Sequence, residues 1–361
     1  MSTIDSSTMT RMPSSQNVSP APLKMIFKGR LEFGAQRTFD MVTKHWSTRL
    51  ETYFKSDILF KLEDIFLTDD FALSLPQPHT TVMGTEKAWR GTTDLLREIV
   101  QFAVVGKIQA WCISNGEVTE ITLEPKTDKV AVSEYWLGCE LVQKDGQMEE
   151  ASAALSRAIE KYQRHALAYE RRGYVNYKLQ NYGDALYDFT KSIDVNPANP
   201  EPHYGRGKVR MLNGEWELAA QDFDAAVKRS IALQPIFWLA RLKKCQCLVN
   251  LEQYAPCISD LQLFVKREFT AENPNFRRRR LAWYLLGRCY LATSDLKNAL
   301  DAFNQALSIK EGVELLSDAD LFLYRGRTLH ATGASSFAKD LDAAAKLGSE
   351  EAANLLKEWK K

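Results

Sequence analysis

The sequence predicts an α+β chain: a small mixed domain first, then an all-α solenoid of stacked helical hairpins. Three observations carry that prediction. Ala166–Asn199 and Pro200–Leu233 write one pattern twice at a spacing of 34 residues, matching Arg172 with Arg206, Gly173 with Gly207, Tyr182 with Trp216, Ala185 with Ala219, Asp188 with Asp222 and Phe189 with Phe223. A period of that length with small residues in both halves marks a helix–turn–helix unit, and such units stack. Upstream of residue 127 the apolar periodicity alternates between two and 3.6, as strands and helices in turn require. Composition agrees, since 361 residues at 45% apolar and 26% charged can bury a sizeable core.

Residues 1–22 are rich in Ser, Thr and Pro without the aromatics that ordering requires, and they read as a disordered tail. Met25–Phe33 reads as a strand, and Gln36–Phe54 as a helix with Phe39, Val42, Trp46, Leu50 and Tyr53 along one face. Ile58–Phe66 and Ala72–Met83 read as strands, the second broken by Pro76 and Pro78 and so suited to a sheet edge. Thr85 is placed to cap a helix running to Val105, with Trp89, Leu95, Leu96, Ile99 and Phe102 inward. Ile108–Ile113 and Val118–Leu123 flank Asn115-Gly116, the dipeptide favoured in a type I′ hairpin. The order β-α-β-β-α-β with one further strand is the split βαβ pattern, so residues 23–127 are expected to form a ferredoxin-like sandwich.

Helices take over from Asp128. Leu281–Ile309 carries Trp283, Leu286, Gly287, Tyr290, Ala299, Phe303 and Ala306 at the spacings of the two matched units, and Ala131–Tyr162, Trp238–Lys266 and Asp320–Leu347 follow them more loosely. These motifs resemble the tetratricopeptide repeat family, in which the large residue, Leu-Gly and tyrosine lie on a first helix and alanine, aromatic and alanine on a second. The resemblance implies about six repeats over residues 128–348, with a capping helix at 349–361 whose Leu355, Leu356 and Trp359 close the last face.

One departure from the family pattern is informative. Where the family usually has leucine before its small residue, this chain has Arg172, Arg206, Lys244 and Arg325, and Asp188, Asp222, Asp260 and Asp340 stand on the second helices of the same units. The two units with leucine, Leu137 and Leu286, have Ala154 and Ala302 at the matching places. Cation and carboxylate arrive and vanish together, which predicts structural ion pairs clipping the two helices of a repeat.

Function follows from the family geometry as an expectation: a non-enzymatic adaptor or scaffold that holds a peptide or partner protein against the first helices, which line the concave groove. The groove row contains Glu170, Tyr174, Tyr177, Tyr204, Lys208, Met211, Gln246, Tyr284, Arg288 and Arg327. Aromatic and cationic groups on a rigid concave surface suit an extended peptide or a short helix. The lysine–asparagine clamp that co-chaperones of this family close on a C-terminal carboxylate is not evident, because Glu170, Tyr174, Glu201 and Gly205 occupy those places. The alternatives are nucleic-acid association through Arg277–Arg280 and basic groove residues, or an accessory ligand-binding role or dimerisation for the N-terminal domain. A net charge of +1 argues against a polyanion. No catalytic residue, metal site or cofactor is expected: no phosphate loop, His-Glu-x-x-His or nucleophile elbow occurs, and the five histidines are scattered. The six cysteines lack Cys-x-x-Cys spacing and read as reduced thiols, and with no apolar leader the chain is expected in the cytoplasm.

Overall fold

Strand β1 (Leu23–Glu32) is the axis of the N-terminal sheet in the computed structural model, which describes residues 23–54, 58–75, 79–310 and 316–359. The expected tail at 1–22 and the two prolines Pro76 and Pro78 lie outside the described residues. From β1 the chain passes through α1 (Gln36–Arg49), continued by a π-helical turn at Leu50–Phe54, and then α2 (Leu62–Ile65). Strands β2 (Phe66–Leu67), β3 (Ala72–Ser74) and β4 (Thr80–Gly84) follow, then α3 (Glu86–Val100), β5 (Val105–Ser114) and β6 (Glu117–Leu123). The sheet order is β2-β3-β1-β5-β6, with β4 also pairing β1, and every pairing is antiparallel. That is the split βαβ arrangement with β6 added at one edge. Asn115 and Gly116 both take left-handed backbone (φ 49° and 85°), as a type I′ hairpin requires.

Three sequence expectations are corrected here. Ile58–Phe66 is not a strand: Leu62–Ile65 makes one helical turn and only Phe66–Leu67 pairs. Ala72–Met83 is split into β3 and β4. The helix capped by Thr85 Oγ1, which accepts from the Ala88 N–H at 3.2 Å, ends at Val100 rather than Val105. The last of these has a physical cause. Val104 N–H donates to the Glu32 carbonyl at 2.8 Å, so Val105 is already committed to the sheet.

The sheet has two buried faces. Met25, Phe27, Leu31, Ile108 and Ala110 face α1 and α3, where Val42, Trp46, Leu95 and Ile99 complete a core with no exposure. On the other face Ile26, Trp111 and Ile113 pack on Ile231 and Leu233 of the helical array. The register places Lys28 opposite Gln109 and Arg30 opposite Lys107 on that same outer face.

The array pairs α4 (Val130–Leu141) with α5 (Met148–Lys161), α6 (Ala166–Lys178) with α7 (Tyr182–Val195), and α8 (Pro200–Leu212) with α9 (Trp216–Lys228). It continues with α10 (Pro235–Asn250) and α11 (Ala255–Lys266), α12 (Arg279–Ala292) and α13 (Leu296–Ser308), then α14 (Asp318–Ala331) and α15 (Phe337–Lys346). Helix α16 (Glu350–Trp359) lies on the last pair, with Leu355, Leu356 and Trp359 against its core. Each hairpin turn carries one residue with left-handed backbone: Gly146, Gln180, Gly214, Glu252, Ser294 and Gly333. Glycine is absent at three of these six positions, so the turns were legible in sequence only in part. Gly173, Gly207, Gly287 and Gly326 sit at helix crossings, where an added Cβ would stand 2.9, 2.9, 2.6 and 2.9 Å from Phe189, Phe223, Phe303 and Leu341 respectively.

Candidate functional site

Four ionic clips join paired helices of the array. Arg172 grips Asp188 with two hydrogen bonds, Nε–Oδ2 at 3.0 Å and Nη2–Oδ1 at 2.7 Å. Arg206 meets Asp222 at 2.8 Å, Lys244 meets Asp260 at 2.8 Å, and Arg325 meets Asp340 at 2.6 Å. Each cation also reaches back to the preceding repeat: Arg172 to Ser156 Oγ (2.9 Å), Arg206 to Thr190 Oγ1 (3.2 Å), Lys244 to Asp224 (3.3 Å) and Arg325 to Asn304 Oδ1 (2.8 Å). One side chain therefore ties two helices within a repeat and two repeats together. Sequence reasoning found the first half of that arrangement and missed the second, because Ser, Thr, Asp and Asn share no single residue type. Burial raises the Asp188 carboxyl above its ordinary range despite Arg172. Burial pulls Asp222 the same way, but His203, Arg206 and Arg210 outweigh it and hold its carboxyl low.

The expected groove row divides into two parts. Tyr204 packs on Phe223 with ring centroids 5.5 Å apart, and it lines a cavity of about 270 Å³ whose other wall is the N-terminal sheet. The open trough assumed for that stretch is corrected accordingly: the chain's own sheet stands over the first turns of α6, α8 and α10. Docking is apolar at Trp111 and Ile231 and polar nearby, where Lys28 Nζ donates to the Arg229 carbonyl at 2.7 Å and Gln234 Nε2 to Gln109 Oε1 at 3.0 Å. The same contact occupies the sheet face that had been open to dimerisation. Tyr162 Oη donates to Glu32 at 2.6 Å and secures the other end.

Further along the row the cations stack on tyrosines. Lys178 Nζ stands 5.7 Å from the Tyr174 ring and Lys208 Nζ 3.9 Å from the Tyr177 ring. Met211 packs among Tyr204, Trp216 and Leu248, and Glu170 lies half-buried on α6. Arg288 lies 4.9 Å from the Tyr324 ring, and Arg327 pairs with Glu351 above the same ring. Tyr284 is 7% exposed and edge-on to Tyr324 at 5.7 Å, so most of it is spent on inter-repeat packing while it also borders the hollow described next. Gln246 accepts from Lys243 at 3.0 Å and, with Asn250, Arg288, Asp320 and Tyr324, lines a hollow of about 280 Å³ in the fourth to sixth repeats.

Arg277–Arg280 straddle the start of α12. Phe276–Arg278 form a 3₁₀ turn and α12 begins at Arg279. Arg278 donates to the Pro274 carbonyl, Arg279 lies 4.0 Å over the Phe276 ring, and Arg280 pairs with Asp318. The six cysteines are free thiols, five of them buried, and Cys245 and Cys257 meet across the α10–α11 crossing. Among the described residues no group of three or more His, Cys, Asp or Glu could hold a metal ion. No described helix is long and apolar enough to cross a membrane.

An antiparallel sheet domain docked on a stack of helical hairpins defines a helical-repeat protein of the α+β class. Family models for the tetratricopeptide repeat match residues 141–200, 178–235 and 281–312, so these stretches of the helical array are similar to tetratricopeptide repeats. Among solved structures it is similar to YrrB, described as a TPR protein with an unusual peptide-binding site, at 20% identity over 57% of this chain and 99% of that one, TM-score 0.48. It is similar also to PilF of Pseudomonas aeruginosa, at 16% identity over 64% of this chain and 98% of that one, TM-score 0.49.

Proposed function

We propose that the protein is a non-enzymatic adaptor that holds a peptide or partner protein on the first-helix surface of its fourth to sixth repeats. The hollow lined by Gln246, Asn250, Arg288, Asp320 and Tyr324 carries this reading. Among the described residues Arg288 has no carboxylate within 4.0 Å, and its guanidinium is held by the tyrosine rings instead. That leaves a fixed cation free to accept a partner's carboxylate, with Tyr324 and the neighbouring leucines supplying apolar contact. Gln246 and Arg327 flank it, and Tyr174, Tyr177, Lys208 and Met211 extend the contact surface toward the second and third repeats. The domain boundaries expected at 127 and 348 then separate a sheet that covers one stretch of the groove from an array that presents the other.

The test is a pull-down from native extract with wild type and an Arg288→Ala/Tyr324→Ala variant whose circular dichroism matches wild type. Loss of a specific partner supports the reading. Retention of every partner by the double variant overturns it.

A further inference from the structure

The cavity between sheet and array has walls of opposite charge. On the sheet wall, Lys28 and Lys107 project from the outer face of β1 and β5, with the backbone of Gly29 and Gly106 beside them. On the array wall, Glu201 enters from the first turn of α8. Arg30 and Glu32 also line the space, but they bond to each other at 3.2 Å and to Asp70 and Arg164 beyond it. Lys107 and Glu201 are different. Both line the same cavity, and among the described residues neither makes an ion pair within 4.0 Å. Glu120, on the edge strand β6, is a second carboxylate on the cavity without such a partner.

A half-buried lysine and a solvent-exposed glutamate thus face one volume from two domains without pairing. Lys28 adds to the positive wall: it is 7% exposed, and burial together with the neighbouring Lys107 brings its ammonium down to about 8. Between the charged ends stand neutral hydrogen-bonding groups from Gln109, Asn196, Asn199 and Gln234. Among the described residues the Asn199 Nδ2 group has no hydrogen-bond partner. At about 270 Å³ the space lies just below the range of drug-sized pockets, which is the scale of a single small metabolite.

We propose that this cavity binds a small aminocarboxylate, a free α-amino acid or a compound of that kind. Its carboxylate lies toward Lys107 and Lys28 and its ammonium group toward Glu201. A simple anion satisfies only the sheet wall and a simple cation only the array wall, whereas a zwitterion neutralises both at once. Because one wall belongs to each domain, the ligand bridges them, and its binding tightens the docking of the sheet.

The experiment is a thermal-shift screen of the full chain against the twenty free amino acids, followed by calorimetry on those that raise the melting temperature. The best ligand is then compared with its N-acetyl derivative, its carboxamide and inorganic phosphate. The expected result is binding by the free amino acid and loss of at least about tenfold in affinity with either blocked derivative. Lys107→Met and Glu201→Gln, each checked by circular dichroism and gel filtration, should weaken binding by a similar factor. No shift with any amino acid overturns the proposal and leaves a water-filled gap. Equal binding of the N-acetyl derivative or of phosphate overturns it in favour of a plain anion site. Unchanged affinity in both variants overturns the location.

Discussion

The clip between Arg172 and Asp188 can be replaced by the apolar solution this chain already uses elsewhere. In the fifth repeat Leu286 and Ala302 occupy the same two places, 2% and 1% exposed, so the fold tolerates either chemistry. Arg172→Leu alone leaves the Asp188 side chain 1% exposed with only Asn176 Nδ2 donating to it at 3.0 Å, an uncompensated buried charge. That costs about 3 to 5 kcal/mol. Asp188→Ala alone leaves a guanidinium whose side chain is 20% exposed and which keeps Ser156, so it can turn toward water. Its cost is smaller, about 1 to 3 kcal/mol. The double variant removes both charges together. It forfeits the Ser156 hydrogen bond and the Asn176 amide's bond to Asp188, and should fall within about 2 kcal/mol of wild type. The coupling between the sites is then at least about 2 kcal/mol and favourable. Urea unfolding followed by circular dichroism reads the global change. Amide hydrogen exchange in α6 and α7 reads the local one, since stacked repeats need not unfold as one unit. A double variant as unstable as the sum of the two singles refutes the reasoning.

His165 supplies a pH dependence. It is 1% exposed, its Nδ1 accepts from the Ala168 N–H at 3.1 Å, and burial lowers its imidazole to about 4. The folded pKa lies below the unfolded value of about 6.5, so the unfolded chain takes up the proton first. This contribution to stability is whole above pH 6.5 and falls by about 1.4 kcal/mol per unit as pH drops toward 4. His165→Asn, which keeps a capping acceptor, should flatten that part of a stability–pH curve. At the turns, Gln180→Gly or Ser294→Gly relieves a left-handed backbone at φ 63° or 61°. Each should stabilise the array by about 0.5 to 1 kcal/mol in urea melts. Gly106→Ala should do the opposite. A Cβ there would stand 2.1 Å from the Arg30 carbonyl oxygen at φ +127°, so the sheet should lose its near-ultraviolet signal while helical ellipticity largely remains. Ile231→Asp places a charge against Trp111 and Ile26, and small-angle scattering should show the N-terminal domain released from the array with a larger radius of gyration.

Local chemistry made much of this protein readable from its residues alone. The 34-residue echo between Arg172 and Arg206 revealed the hairpin unit, and the shared presence of Arg and Asp against Leu and Ala predicted side chains that meet across 16 residues of chain. Asn115-Gly116 marked the hairpin and Thr85 the start of α3, because a turn type or a cap is satisfied by neighbours in sequence. The reach of those same cations into the preceding repeat was not legible, nor was the burial of Tyr284, since both depend on how one hairpin stacks on the next. The docking of sheet on array was written faintly. Met25-Ile26-Phe27 and Ala110-Trp111-Cys112-Ile113 are continuous apolar runs where a sheet with one wet face would alternate, and continuity signals two buried faces. It does not say what covers the second face. That partner, Ile231, lies 120 residues from Trp111, and only the tertiary structure joins them, closing one stretch of the groove and enclosing the charged cavity beside it.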